Sequence, residues 1–429
     1  MIPAQEHDKT LMQGVARRFA REAWGPAVVV FVALGILLGA YFATGGDVRD
    51  FLHIAPRFLT QGGGASPSLR LDSTYHGYAT DGKGYDGQFY YYIAVDPLHA
   101  PAYLDEPAYR FSRPLYPFLA RALALGQPDL IPWTLLLINW LAISGTVLAL
   151  GAILRKRGAA PWLALLYAAF PGALAALHAD VTEPLAYGLV ALGLWLYERG
   201  GRRAWLWMGL AFALAALARE TTAVFALALA LAAAIREGRA AWVVARGQDG
   251  AWRAWLARVA RVAPRPALWL AGVMAPYLAW KIGIGVWLGS SGVPSELVPS
   301  PLPFAGLAAL WPWPAFIWAS ALFVALPGVV CLALAVWGLW RRPEAPELWA
   351  LALHTFFFCL LLRAGSWDLI AAFRLSVGAV LALLWAAPLL AGMARRARLW
   401  MTLAFALWDS LAPLVIITFF GALARVVGG

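Results

Sequence analysis

Between Tyr75 and Pro117 the chain gathers five acids (Asp81, Asp86, Asp96, Asp105 and Glu106), two histidines, a run of tyrosines and the arginines Arg110 and Arg113. The flanking sequence is largely apolar. A connector between two apolar helices needs none of these side chains, and the aromatic content argues against a disordered loop. Asp86 stands within Gly84-Tyr85-Asp86-Gly87-Gln88. Its carboxylate could take a proton from an incoming hydroxyl, and glycine on either side would let a substrate approach the backbone. The run Phe89-Tyr90-Tyr91-Tyr92 follows, with aromatic faces suited to sugars, to lipid, or to packing on a membrane surface. Asp105, Glu106 and Arg110 also fit a simpler reading, in which they cap and solvate a loop helix.

A second set of polar residues lies inside or at the ends of apolar runs. Arg219, Lys281, Arg363 and Arg374 are the cations; Asp180, Glu183, Glu220 and Asp368 are the carboxylates. Charges at membrane depth are costly and face a cavity or a partner. Counting from the ends of their runs puts all four cations on one side of the membrane, which predicts a shared cavity beneath the loop. Cations in such a place stabilise a departing phosphate. Each residue also has a structural reading: Asp180-Val-Thr-Glu183-Pro184 as a helix start, Arg219–Glu220 as an internal ion pair, Lys281 reaching up to the interface. Asp180 and Glu183, with His178, are candidate ligands for a divalent metal, Mg or Mn, that would share the phosphate work. His76, His99 and His178 are too scattered to define a metal site by spacing.

The elements that must position these groups are membrane helices. The 429 residues are 62% hydrophobic and 13% charged, with a mean hydropathy of +0.68, and the apolar runs are near bilayer length. The net charge of +11 sits mainly in short loops between apolar runs, as in cytoplasmic loops, so it does not point to nucleic acid. Cys331 and Cys359 fall in apolar runs, which excludes a disulfide framework. Arg17, Arg18 and Arg21 precede the first apolar run, which reads as a signal anchor. The predicted fold is an all-α polytopic membrane protein of about eleven spans. It forms one transmembrane domain over 1–429: a first span at 26–44, a long outer loop with interfacial helices at 45–127, and the remaining spans over 128–425. Residues 45–113 hold 8 of the 23 acids but 6 of the 34 basic residues, which fits an outer location. The segment 236–265 is the largest inner loop and is partly amphipathic, suited to an anionic membrane surface.

The element Gly-Tyr-Asp86-Gly-Gln-Phe-Tyr-Tyr-Tyr-Ile-Ala resembles the first-loop signature of the GT-C glycosyltransferases, and in particular the PIG-V-like and related bacterial mannosyltransferase-like membrane proteins. Pro-Ala-Tyr-Arg110-Phe-Ser-Arg113-Pro-Leu-Tyr-Pro is similar to the segment that follows in bacterial relatives, as are Glu183 and the Arg219 step to later helices. The resemblance covers roughly 1–235. It implies a GT-C-like bundle in a bacterial inner (plasma) membrane, with its site facing the periplasm or exterior. There it would move sugar from a polyprenyl-phosphate-linked donor, with inversion, to a lipid, glycan or protein acceptor among the membrane lipids. In that family an outer-loop Asp is the base, which maps to Asp86. Many members carry two adjacent acids there, whereas Asp86 has Gly neighbours, so Asp81 and Asp96 stay as alternatives. The donor phosphate would then fall to Arg219, Lys281, Arg363 and Arg374. Gln88, Tyr90, Arg110, Arg113, Asp180, Glu183, Glu220 and Asp368 would line the substrate cavity. A transporter or flippase of a lipid-linked glycan is the competing reading, and it would need the same cations. The crowding of polar residues at one side and the lack of an inverted repeat weigh against it.

Overall fold

In lipid every backbone N–H and C=O must find a partner within the chain, and runs rich in Ala and Leu do so as helices. The computed structural model describes residues 22–55, 84–246, 251–262, 264–290, 300 and 302–420, and all regular structure among them is helical. The chain is an all-α membrane protein. Seven of the described helices are long and apolar enough to cross a membrane: Trp24–Ala43, Pro128–Lys156, Glu220–Ala245, Arg265–Leu288, Ala315–Arg341, Leu369–Met393 and Arg395–Thr418.

The helices needed below are α1 (Trp24–Ala43), α2 (Gly87–Val95), α3 (Pro107–Arg110), α4 (Leu115–Leu123), α5 (Ile131–Lys156), α6 (Leu165–Ala169) and α7 (Pro171–His178). They continue as α8 (Glu183–Arg199), α9 (Arg202–Ala218), α10 (Ala223–Ala245), α11 (Ala251–Val262), α12 (Pro264–Leu288), α13 (Pro346–Thr355), α14 (Leu369–Met393) and α15 (Arg395–Asp409).

About eleven spans were expected, and the difference from seven has physical causes. The run at 161–178 is broken: Phe170 is extended because it precedes Pro171, and the helices on either side bend by 54°. Counted as one span, this pair would raise the number to eight. Helices α8 and α9 are 17 residues each, at the lower limit of a crossing, and are not among the seven. The helix that begins with α13 ends in a π turn at Phe356–Leu360. Tight or wide turns of this kind often mark functional sites.

Helix α14 is the central post. From Ser376 to Ala387 every residue is buried, and the helix packs against α7, α8, α13 and α15. A smaller apolar cluster caps one end of the bundle, where α2 and α4 lie on Ile131, Leu135 and Val181. The segment 113–126, expected as an interfacial helix, supplies α4, whose Tyr116 and Ala120 face this cluster while Leu123 is exposed. At the other end the amphipathic stretch expected within 236–265 forms α11, with Trp252 and Leu256 exposed. Of the outer loop at 45–127, residues 45–55 and 84–127 are described; Asp81 and His76 lie outside the described residues.

Candidate functional site

Asp86 immediately precedes α2, yet its side chain makes no capping hydrogen bond. The carboxylate turns instead to two guanidiniums: Arg110 Nη1 donates to Oδ1 at 2.9 Å and Arg374 Nη2 to Oδ2 at 3.2 Å. Arg110 also grips Asp105 through two bonds of 2.9 and 2.8 Å and lies over the Phe89 ring. Arg374 lies over the Tyr85 ring. Burial opposes ionisation of Asp86, but the charges of Arg110 and Arg374 outweigh it and hold the carboxyl below the usual carboxylate range. The side chain keeps 27% of its surface exposed.

From Asp86 the ion pairs run into the bundle. Arg374, on α14, donates to Glu183 Oε1 through Nε at 2.9 Å and lies 2.7 Å from it through Nη2. Arg219 reaches the same oxygen at 3.2 Å. Glu183 is 0% exposed and Arg374 and Arg219 nearly so, so a fully buried carboxylate is held between two buried cations. A neighbouring pair joins Arg113 to Glu220, with bonds of 3.0 and 2.7 Å. Arg219 and Glu220 are therefore not each other's partners: the 3-10 turn that starts at Glu220 turns the two side chains to different neighbours.

Beside this network lies a cavity of about 370 Å³. Its polar wall holds Arg113, Arg219, Lys281 and Arg363 against one carboxylate, Glu220; Phe357, Phe358, Leu361 and Leu375 form an apolar wall. The phenylalanines are carried on the π turn, which widens the helix where the cavity opens. Three of the four expected phosphate-binding cations thus share one cavity. Arg374 is not on its wall, being engaged by Asp86 and Glu183. Lys281 differs from the arginines beside it: it forms no hydrogen bond or close ion pair with any described residue. Tyr109 and Tyr277 also line the cavity and were not singled out from sequence. Tyr277 sits four residues before Lys281 on α12, and so on the same helical face; Arg113 lies beyond the end of α3 and donates to the Tyr109 hydroxyl at 2.6 Å.

Several expectations need correction. Gln88 and Tyr90 do not line the cavity. Both are 0% exposed; Gln88 Oε1 accepts from Ala55 N–H at 3.0 Å, and the Tyr90 hydroxyl accepts from Arg113 at 3.3 Å. The whole aromatic run is interior, because α2 is covered on all sides by the segment 51–55, α4 and the turn after α7. The glycines beside Asp86 leave no room for a substrate. A Cβ on Gly84, which has φ +67°, would lie 2.5 Å from the His53 carbonyl, and one on Gly87 would lie 2.4 Å from the Ala179 carbonyl. These glycines admit the chain's own backbone. Asp180 is fully buried, with φ +44° and neither carboxylate oxygen hydrogen-bonded, and it is not on the cavity wall. Asp368 caps α14, accepting from Ala371 N–H at 3.2 Å. Asp96 ends α2 and pairs with His99 at 2.9 Å.

The proposed metal ligands do not form a set. Glu183 is taken by Arg374 and Arg219, and His178 Nδ1 stands 3.1 Å from His53 Nε2. No group of three His, Cys, Asp or Glu side chains that could hold a metal occurs among the described residues.

A Gly87→Ala variant tests how tightly α2 is seated. The added methyl meets the carbonyl oxygens of Ala179, Leu52 and Phe51, which are backbone and cannot swing aside. The expected loss of stability is about 1–3 kcal/mol, read from thermal unfolding in detergent; a wild-type midpoint would mean that α2 sits less closely than described. No protein-family model matches this chain, and no curated protein matches it.

Proposed function

We propose that this protein is a membrane glycosyltransferase of GT-C type, moving a sugar from a polyprenyl-phosphate donor to a hydroxyl acceptor at the membrane face where the cavity opens. The observation that carries this reading is the cavity itself, with four cations against one carboxylate on one wall and an apolar wall opposite. An anionic headgroup on a long hydrocarbon chain matches both walls. Asp86 is not on the cavity wall itself; Arg110, which holds it, follows Tyr109 of that wall in the chain. The resemblance of the segment around Asp86 to the first loop of the GT-C family adds to this.

In the proposed reaction the bond between the sugar's anomeric carbon and the phosphate oxygen breaks as the acceptor oxygen attacks from the opposite face. The acceptor proton passes to Asp86, and the departing polyprenyl phosphate carries the bonding electrons. Its growing charge is met by the cations of the polar wall, Lys281, Arg363, Arg113 and Arg219. The site would face the periplasm or exterior of a bacterial inner membrane.

The test is turnover by purified protein in detergent, with a panel of polyprenyl-phosphate sugars and release of polyprenyl phosphate as the readout. Transfer in detergent needs no sealed compartment. Failure of every donor, together with movement of a lipid-linked glycan across sealed vesicles, would replace this reading with transport. Within the assay Lys281→Ala is expected to raise the donor KM by about tenfold or more, the size of one hydrogen bond to a charged group, with an unchanged unfolding midpoint. An unchanged KM would remove Lys281 from the donor site.

A further inference from the structure

A second cavity, of about 340 Å³, opens at the opposite end of the same helices. Helix α10 gives Val224 to the first cavity and Arg236 and Glu237 to the second; α12 gives Lys281 to the first and Arg265 and Trp269 to the second. At about 1.5 Å per residue, the offset along each helix is roughly 18–24 Å. The two cavities therefore lie toward opposite ends of these helices.

The second cavity has its own chemistry. Arg236 and Arg265 form no hydrogen bond or close ion pair with any described residue, and Arg265 stands in the first turn of α12, where a helix N-terminus favours an anion. Glu237 pairs with neither arginine, and one of its carboxylate oxygens is buried without a donor. Leu229, Trp205 and Trp269 continue the wall as apolar surface, and Trp205 is about half exposed toward where lipid would lie. Two cations and a carboxylate with no partners among the described residues, set against an apolar wall, ask for a ligand that carries both charges and a hydrocarbon tail.

We propose that this cavity binds a phospholipid whose headgroup joins a phosphate to a primary ammonium, as in phosphatidylethanolamine. The phosphate lies between Arg236 and Arg265, the ammonium donates to Glu237, and the acyl chains run along Leu229, Trp205 and Trp269. A headgroup with no amine leaves Glu237 unmatched beside a phosphate. A choline headgroup has no N–H to donate. The proposal does not depend on the activity assigned to the first cavity.

The test measures dissociation constants of the purified full-length protein for dihexanoyl phosphatidylethanolamine, phosphatidylglycerol and phosphatidylcholine, and for free O-phosphoethanolamine. The ethanolamine lipid should bind about tenfold or more tightly than the other two, and free O-phosphoethanolamine much more weakly. Glu237→Gln should erase the preference over phosphatidylcholine. The double variant R236Q/R265Q should lose at least about tenfold in affinity for the ethanolamine lipid at an unchanged unfolding midpoint. Equal binding of phosphatidylglycerol would overturn the proposed headgroup. Free O-phosphoethanolamine binding as tightly as the lipid would make this a site for a soluble phosphate. Should a variant fail to fold, the wild-type comparison of the three lipids decides alone.

Discussion

An Asp86→Asn variant is expected to fold and to bind polyprenyl phosphate, yet to transfer sugar about 10²–10⁴ times more slowly, the range for losing a general base. The amide keeps the shape of the carboxylate and can still accept from Arg110, whose second partner, Asp105, holds it in place. What disappears is the negative charge and the capacity to take a proton. The two guanidiniums also set a pH signature. Because they hold the folded-state carboxyl below its ordinary value, the ion pairs contribute stability at every pH above that ordinary value and lose it only as pH falls through the folded one. Between about pH 5 and 8 Asp86 should therefore add no limb to the rate profile. A variant with near-normal turnover would show that Asp86 only organises Arg110 and Arg374. A limb near neutral pH that vanished in the variant would show that the carboxyl is not held down as the geometry requires.

Arg374→Met is expected to have the largest effect on stability. Arg374 is the buried link between Asp86 and Glu183, and its loss leaves Glu183 with Arg219 alone, at 3.2 Å, in a place without solvent. Removing one partner of a buried pair costs about 3–5 kcal/mol, chiefly because the other charge stays buried. The double variant Arg374→Met/Glu183→Gln should recover part of that loss, since it removes both members. Thermal unfolding in detergent of wild type, Arg374→Met, Glu183→Gln and the double variant measures the coupling directly. If the single variant unfolds within about 0.5 kcal/mol of wild type, the network is not as closed as its distances imply.

Much of this site was legible in the sequence, and the rest was hidden for specific reasons. Charge at membrane depth has few explanations, so Arg219, Lys281 and Arg363 could be brought to one level by counting along their runs, and they meet at one cavity. The partners could not be read that way. Arg113 meets Glu220 across 107 residues and Arg374 meets Glu183 across 191, distances over which no periodicity speaks. The tyrosine run misled because α2 is buried on every face and has no polar side to reveal its setting. Gly84 and Gly87 look the same in sequence whether a substrate or a backbone carbonyl occupies the space beside them. The number of spans suffered from interruptions, namely the Phe170-Pro171 break and the π turn at Phe356–Leu360, which divide apolar sequence without changing its composition.

The link from Arg374 to Asp86 crosses 288 residues of chain, and this bears on how the protein is made. At about 5–20 residues per second, Asp86 and Glu183 leave the ribosome roughly tens of seconds before their shared cation is synthesised. During that interval Glu183 has only Arg219 as a membrane-level companion, and Asp86 has only Arg110. Helix α14 closes the circuit when it inserts, and it is also the post around which α7, α8, α13 and α15 pack. Nascent chains halted before α14 should remain with the insertion machinery and be prone to degradation. A finished ion-pair network and a finished bundle then arrive in the same step.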